Sequence, residues 1–502
     1  MSLLLGTLQV IERAGNRLPH PFWLFMILAG IVIVLSAVLD ALGAFAVSPA
    51  DGERVEIRSL ISPDGVDVIL LDAVDNFATF PPLALIVSVM LGVAVAEQSG
   101  MLSAMLRGSV TRVPPKYLTF ALALVGVSAS VASDAAYVVL IPLGALAFKA
   151  VGRSPILGLV VAFGSISAGY NASLFVTAGD VLFAGISTEA VQILDEGAAV
   201  SPIANYFFTA ASAVFLAVIV TLVTEFVLTR RTAGMTADGE GVDQSLGEMR
   251  LGDLERRGLR NAGLTLFAMV ATIAIALAFP QSWFRGDDGG VLTSPIIEGI
   301  APVLGLAFLL VGFAYGRTVG TIVRAREIPP AMATGVRELA PVIVLFFAAS
   351  QFIAYFSWSG MGEVLAIRGA ALLDAAGVHP ILLFVGMVLI VTVMNIFMTS
   401  GSAQWTLIAP VFVPMFMLLN VPAETTQAVF RIGDSSTNLI SPMSPYFVMA
   451  LGFLQRYRKD AGIGTLISLT LPISVAFLVG WTLFFLAWWA LGIPLGPGVP
   501  VQ

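Results

Sequence analysis

The chain has 502 residues, of which 58% are hydrophobic and 11% charged, with a net charge of −7. A soluble globular domain carries about 25% charged residues, so this composition belongs to an integral membrane protein and leaves room for no large soluble domain. The acidic balance argues against nucleic acid as a partner. The absence of cysteine excludes disulfides and thiolate metal sites, and two histidines, His20 and His379, are too few for a histidine metal centre.

Taken in chain order, the first apolar run, Phe22 to Leu39, starts too late and runs too long for a secretory signal and reads as a retained first span. Further runs of membrane-crossing length follow, so that the predicted spans are 22–43, 80–98, 155–185, 202–229, 259–280, 298–320, 339–356, 424–453 and 464–491. Two regions, 117–149 and 379–418, divide instead into short apolar arms about a polar tip, "SASVASD" (128–134) and "TSGSAQ" (399–404). Such arms are marginal for crossing about 30 Å of hydrocarbon, which predicts a re-entrant hairpin in each region. The expected fold is therefore an all-α integral membrane protein of nine transmembrane helices plus two opposed hairpins.

Positive charge gives the expected orientation. Arg13 and Arg17 precede the first span and put the N-terminus in the cytoplasm. Arg107, Arg112 and Lys116 lie before the first split region, and Lys149 and Arg153 after it. Both flanks are basic, so the region enters and leaves on one side, as a hairpin does and a single span cannot. The basic loop 230–258 is then cytoplasmic, and the paired Trp488 and Trp489 read as interfacial belt residues.

An internal repeat supports the same organisation. "ASDAAYVVLIP" (132–142) aligns without gaps on "SGSAQWTLIAP" (400–410), setting Tyr137 opposite Trp405. Asn171 in "SAGYNASLF" and Asn438 in "SSTNLIS" then follow at nearly equal distances from the two prolines. The chain reads as one membrane domain, 1–502, with a first unit at 80–185 around hairpin 117–149. A second unit at 339–453 surrounds hairpin 379–418. The units enter from opposite sides, and inverted repeats with broken helices are a mark of secondary transporters.

The stretch "RIGDSSTNLISPMSPYF" (431–447) puts Arg431, Asp434, Asn438 and Ser441 where a span is due. Pro442 and Pro445 disturb that helix and free carbonyl oxygens beside the amide of Asn438. Carboxylate, amide and carbonyl oxygens are hard ligands suited to Na⁺, so Asn395, Asp434 and Asn438 form a candidate cation site. Arg431 has two candidate partners, Asp434 on its own helical face and a substrate carboxylate. In the first unit, "GSISAGYNASLFVTAGD" (164–180) is broken by glycines and offers Asn171 and the intramembrane acid Asp180 as further cation-coupling groups. Asp134 is a candidate N-cap. Ser400, Gly401 and Ser402 at the second tip are candidate substrate contacts, and Trp405, one turn on, offers a ring for stacking.

At these residues the chain resembles the p-aminobenzoyl-glutamate transporter (AbgT) family, in "ERAGNRLPHPFWLF" (12–25), "SVASDAAYVVLIPLGALAF" (130–148), "AGYNASLFVTAGD" (168–180), "TSGSAQWTLIAPVFVPM" (399–415) and "RIGDSSTNLISPMSPY" (431–446). The resemblance implies a homodimer in a bacterial inner membrane, distantly related to the divalent-anion/sodium symporters. It implies import of p-aminobenzoyl-glutamate or export of sulphonamide antimetabolites on an H⁺ or Na⁺ gradient. Carried over, its functional positions fall on Asp180, Asn395, Ser402, Trp405, Pro422, Arg431, Asp434 and Pro442. The chain is expected to need no cofactor beyond a Na⁺ ion and to act on a small molecule within the lipid bilayer. A Na⁺-coupled symporter of another dicarboxylate-type anion is the nearest alternative. An intramembrane aspartyl protease would use Asp180 and Asp434, each after a glycine, but its usual Pro-Ala-Leu tripeptide is absent. An ion channel would need a continuous pore rather than two dead-end hairpins.

Overall fold

The computed structural model describes residues 19–49, 52–111, 113–132, 134–235, 249–286 and 288–502. Arg13, Arg17 and Arg112, on which part of the orientation argument rests, lie outside these residues. Among the described residues, eight helices are long and apolar enough to cross a membrane. They are α1 (Pro21–Ala41), α4 (Pro81–Gln98), α10 (Tyr206–Thr232), α11 (Asp253–Ala278), α12 (Ile300–Val319), α13 (Ile328–Trp358), α15 (Pro380–Phe397) and α19 (Ile463–Ala490).

Seven of the nine expected spans are thus single helices, two of them longer than the apolar run alone suggests. Helix α11 begins at Asp253 rather than 259, and α13 begins at Ile328 rather than 339 and continues past Pro341. The other two expected spans are broken. Residues 155–185 form α8 (Pro155–Ala168) and α9 (Ala178–Val191), and residues 424–453 form α17 (Ala423–Ser436) and α18 (Pro445–Tyr457). The split regions are helix pairs, α6 (Leu118–Val127) with α7 (Ala135–Ala150), and α15 with α16 (Gly401–Met417). At 1.5 Å per residue α6, α7 and α16 reach about 15 to 26 Å, less than the hydrocarbon thickness, whereas α15 matches the spanning helix α4 in length.

The expectation of an all-helical chain needs one correction. Between α1 and α4 a short antiparallel pair, β1 (Phe45–Val47) and β2 (Arg54–Glu56), precedes helices α2 (Pro63–Leu70) and α3 (Ala73–Ala78). Helices α5 (Met101–Val110) and α14 (Met361–Ala375) were also not anticipated, because 10 and 15 residues fall short of a span. Helices α4 and α12 meet through glycines: a Cβ on Gly92 would lie 1.8 Å from the carbonyl oxygen of Gly305. Small residues at such crossings let backbones approach where lipid supplies no hydrophobic drive between helices.

Candidate functional site

The broken helices break for local reasons. Helix α8 ends at Gly169, where a Cβ would lie 2.5 Å from the Ser165 carbonyl oxygen and 2.7 Å from the Val127 side chain. Nine residues later α9 starts on a capping box: Thr177 Oγ1 accepts from the Asp180 amide, and Asp180 Oδ2 accepts from Thr177 N and Oγ1 at 2.7 and 2.8 Å. Helix α17 gives way to a 3₁₀ turn at Asn438–Ile440, and α18 restarts with Pro445 in its first turn, where a missing N–H costs nothing. Every residue of α17 except Glu424 is buried, although the helix carries Thr425, Thr426, Gln427, Arg431, Asp434, Ser435 and Ser436. A polar helix is stable there only if its side chains find partners.

They find them across the two units. Arg431 Nη1 pairs with Asp180 Oδ1 at 2.7 Å, both groups buried. This corrects the sequence reading, in which Arg431 met Asp434 or a substrate. With Oδ2 held by Thr177 and Oδ1 by Arg431, both oxygens of Asp180 are engaged, so the coupling role expected for that acid is not favoured by its surroundings. Arg431 also reaches Gln427 Oε1 and lies over the Phe183 ring. Asp434 bonds instead to Asn171, whose Nδ2 donates to Asp434 Oδ2 at 2.6 Å and whose backbone N–H reaches Ser435. Gly401, first residue of α16, lies against the same carboxylate: a Cβ there would sit 2.7 Å from Asp434 Oδ2.

Asn395 completes the cluster. Its Nδ2 faces three oxygens, the Asp434 carbonyl at 2.5 Å, Asn438 Oδ1 at 2.9 Å and Thr437 Oγ1 at 3.0 Å. Gln404 Nε2 donates to Asn395 Oδ1 at 3.4 Å and to the Met398 carbonyl at 2.7 Å, tying the second tip to this point.

A cavity of about 360 Å³ opens beside the cluster. Ser400, Gly401 and Ser402, the candidate substrate contacts, line it, as do Asp434 and Asn438, candidates for the cation site, together with Tyr137, Tyr170, Phe183, Ser444 and Tyr446, to which the sequence assigns no role. Four expectations fail here. Trp405 is fully buried, donating from Nε1 to Ser187 Oγ at 3.0 Å and packing on Phe430 at 4.6 Å, so it presents no ring to the cavity. Pro422 is the N-cap of α17, twelve residues and about 18 Å along that helix from Asp434. Asp134 occupies an N-cap position without a capping bond and instead accepts from the Tyr446 hydroxyl at 2.5 Å. Pro442 lies half-buried in the break between α17 and α18 and does not line the cavity.

Paired broken helices, paired short helices and a cavity between them walled by rings and polar groups are the architecture of a membrane transporter. The chain belongs to the family described as "AbgT putative transporter family", whose model matches residues 6–502. It is 39% identical over 491 residues to the p-aminobenzoyl-glutamate transport protein of Escherichia coli K12, covering 97% of this chain and 96% of that one. The crystal structure of the YdaH transporter of Alcanivorax borkumensis superposes with a TM-score of 0.91 at 39% identity, covering 95% of this chain and 100% of that one. MtrF of Neisseria gonorrhoeae, presented as illuminating a class of antimetabolite efflux pumps, superposes with a TM-score of 0.93 at 38% identity, over 98% of this chain and 100% of that one. Like these relatives, the chain is a transporter and not an enzyme.

Proposed function

We propose that the chain is a secondary active transporter of p-aminobenzoyl-glutamate-type aromatic carboxylates and of sulphonamide antimetabolites. The observation that carries this reading is the 360 Å³ cavity, lined by Tyr137 and Tyr170 of the first unit and by the second tip and broken span of the other. The names of the E. coli and gonococcal relatives support the substrate class and, for the latter, the direction of efflux. In this reading α6–α7 and α15–α16 are re-entrant hairpins, α8–α9 and α17–α18 each cross once, and the N-terminus is cytoplasmic in a bacterial inner membrane. The homodimer implied by the resemblance would cover part of the apolar face of α11, whose span is 6% buried.

The coupling cation binds at Asn395, with the Asp434 carbonyl, Thr437 Oγ1 and Asn438 Oδ1. The Asp434 carbonyl belongs to the last turn of α17, where helix geometry leaves acceptors unpaired and the dipole is negative. A half-turn of the Asn395 amide adds a fourth oxygen. An all-oxygen set without a side-chain carboxylate suits Na⁺ better than a proton.

Counterflow of labelled p-aminobenzoyl-glutamate in proteoliposomes tests the reading. Wild type should accumulate label, and Asn395→Ala should lose the Na⁺ dependence of uptake. No movement of this compound or of any sulphonamide, under either a Na⁺ or an H⁺ gradient, would sink the proposal.

A further inference from the structure

The cavity walls divide by chemistry. Tyr137, Tyr170, Phe183 and Tyr446 contribute four rings, whereas Ser400, Ser402, Asp434 and Asn438 supply polar groups. Two of the rings are held in place: Tyr137 and Tyr446 stack at 4.1 Å with 7° between their planes, and the Tyr446 hydroxyl is anchored on Asp134. The carboxylate of Asp434 is half satisfied. Its Oδ2 accepts from Asn171, while Oδ1 is buried and has no hydrogen-bond partner among the described residues. Among those residues, no lysine or arginine lines the cavity. A site with fixed rings, a buried unfilled carboxylate oxygen and no cation matches an aromatic group bearing a neutral N–H donor better than it matches a carboxylate.

We propose that this cavity is an arylamine subsite. The ring of a p-aminobenzoyl group packs against the Tyr137–Tyr446 pair and its amine donates to Asp434 Oδ1. The inference rests on the transport reading above and adds which end of the substrate the cavity recognises. It also moves the ring contact from Trp405, which lies behind α9, to tyrosines contributed by both units. A buried acceptor left without its donor is what makes such a site reject an analogue lacking the donor.

Equilibrium binding to the purified full-length protein tests this with three ligands: p-aminobenzoyl-glutamate, benzoyl-glutamate and p-nitrobenzoyl-glutamate. Wild type should bind the amine roughly ten- to a hundredfold more tightly than the compound that lacks it. In Asp434→Asn, Asn171 Nδ2 still requires an acceptor, so the new amide turns its NH₂ toward the cavity. The preference for the amine should then collapse, and the nitro compound, an acceptor, should gain. Tyr446→Leu should weaken all three ligands by about fivefold without changing their order. Equal wild-type affinities for the three ligands would overturn the subsite while leaving the transport reading intact. Failure to bind any of them would overturn both. Retention of the full amine preference in Asp434→Asn would overturn the acceptor assignment, and should that variant not fold, the wild-type ligand series decides alone.

Discussion

Arg431→Ala is expected to cost about 3–5 kcal/mol of stability and to abolish transport. The substitution strands Asp180 Oδ1, buried and 2.7 Å from the lost guanidinium, and removes the donor that reaches Gln427 Oε1. Asp180→Asn acts from the other side, leaving a buried cation whose Nε already has no partner among the described residues. The pair joins the broken span of one unit to that of the other, so its loss loosens the contact on which the cavity is built. The double variant Asp180→Asn/Arg431→Gln should recover more than half of the lost stability, because two neutral amides leave no buried charge. It should not recover flux. Thermal unfolding of the purified protein, with counterflow on the same preparations, reads both quantities. Single variants that lose less than about 1 kcal/mol would show that the ion pair is not holding the units together.

Gly401→Val should be the most damaging change at the second tip. A Cβ at 401 would lie 2.7 Å from Asp434 Oδ2 and 3.0 Å from Oδ1, too close for either to stay. Either α16 retreats from α17, or the carboxylate turns and abandons Asn171. Overpacking of this kind costs about 1–3 kcal/mol, which lowers the population of the assembled site about five- to 150-fold. Gly401 is not needed for its backbone freedom, since no positive φ is found there; it is needed for closeness. Gly401→Ala should therefore fold normally and transport poorly. Wild-type flux in Gly401→Ala would mean that the tip and the broken span do not move as a unit.

The breaks themselves were legible in the sequence because their causes are local. Glycines at 164, 169 and 179, prolines at 442 and 445, and amides amid apolar residues mark them without any knowledge of the fold. The same polarity picked out Asn171, Asn395, Asp434 and Asn438, which the structure brings together through direct bonds from Asn171 and Asn395 to Asp434 and from Asn395 to Asn438. What could not be read was which residue faces which. Arg431 finds its carboxylate 251 positions away, and no periodicity reports such a pairing over the nearer Asp434. Trp405 and Tyr137 occupy equivalent places in the repeat, yet one is sealed behind α9 and the other lines the cavity. Their neighbours decide this: Ser187 offers Trp405 a buried acceptor, whereas Tyr446 offers Tyr137 a ring. The short helices α5 and α14 leave no such mark, because at 10 and 15 residues neither reaches the length of a span.

The chain's freedom from cysteine allows one introduced thiol to report on the cavity alone. Ser400 is exposed, lines the cavity and its hydroxyl makes only long bonds, 3.4 Å to the Ala403 amide and 3.3 Å to Ser402 Oγ, so Ser400→Cys should disturb little. The measurement is the rate at which a thiol reagent alkylates Ser400→Cys in proteoliposomes, with and without p-aminobenzoyl-glutamate. Saturable protection by that compound, and none by glutamate, is the predicted result. An alkylation rate unchanged by p-aminobenzoyl-glutamate, in a variant that still carries out counterflow, would place the substrate elsewhere and contradict the account.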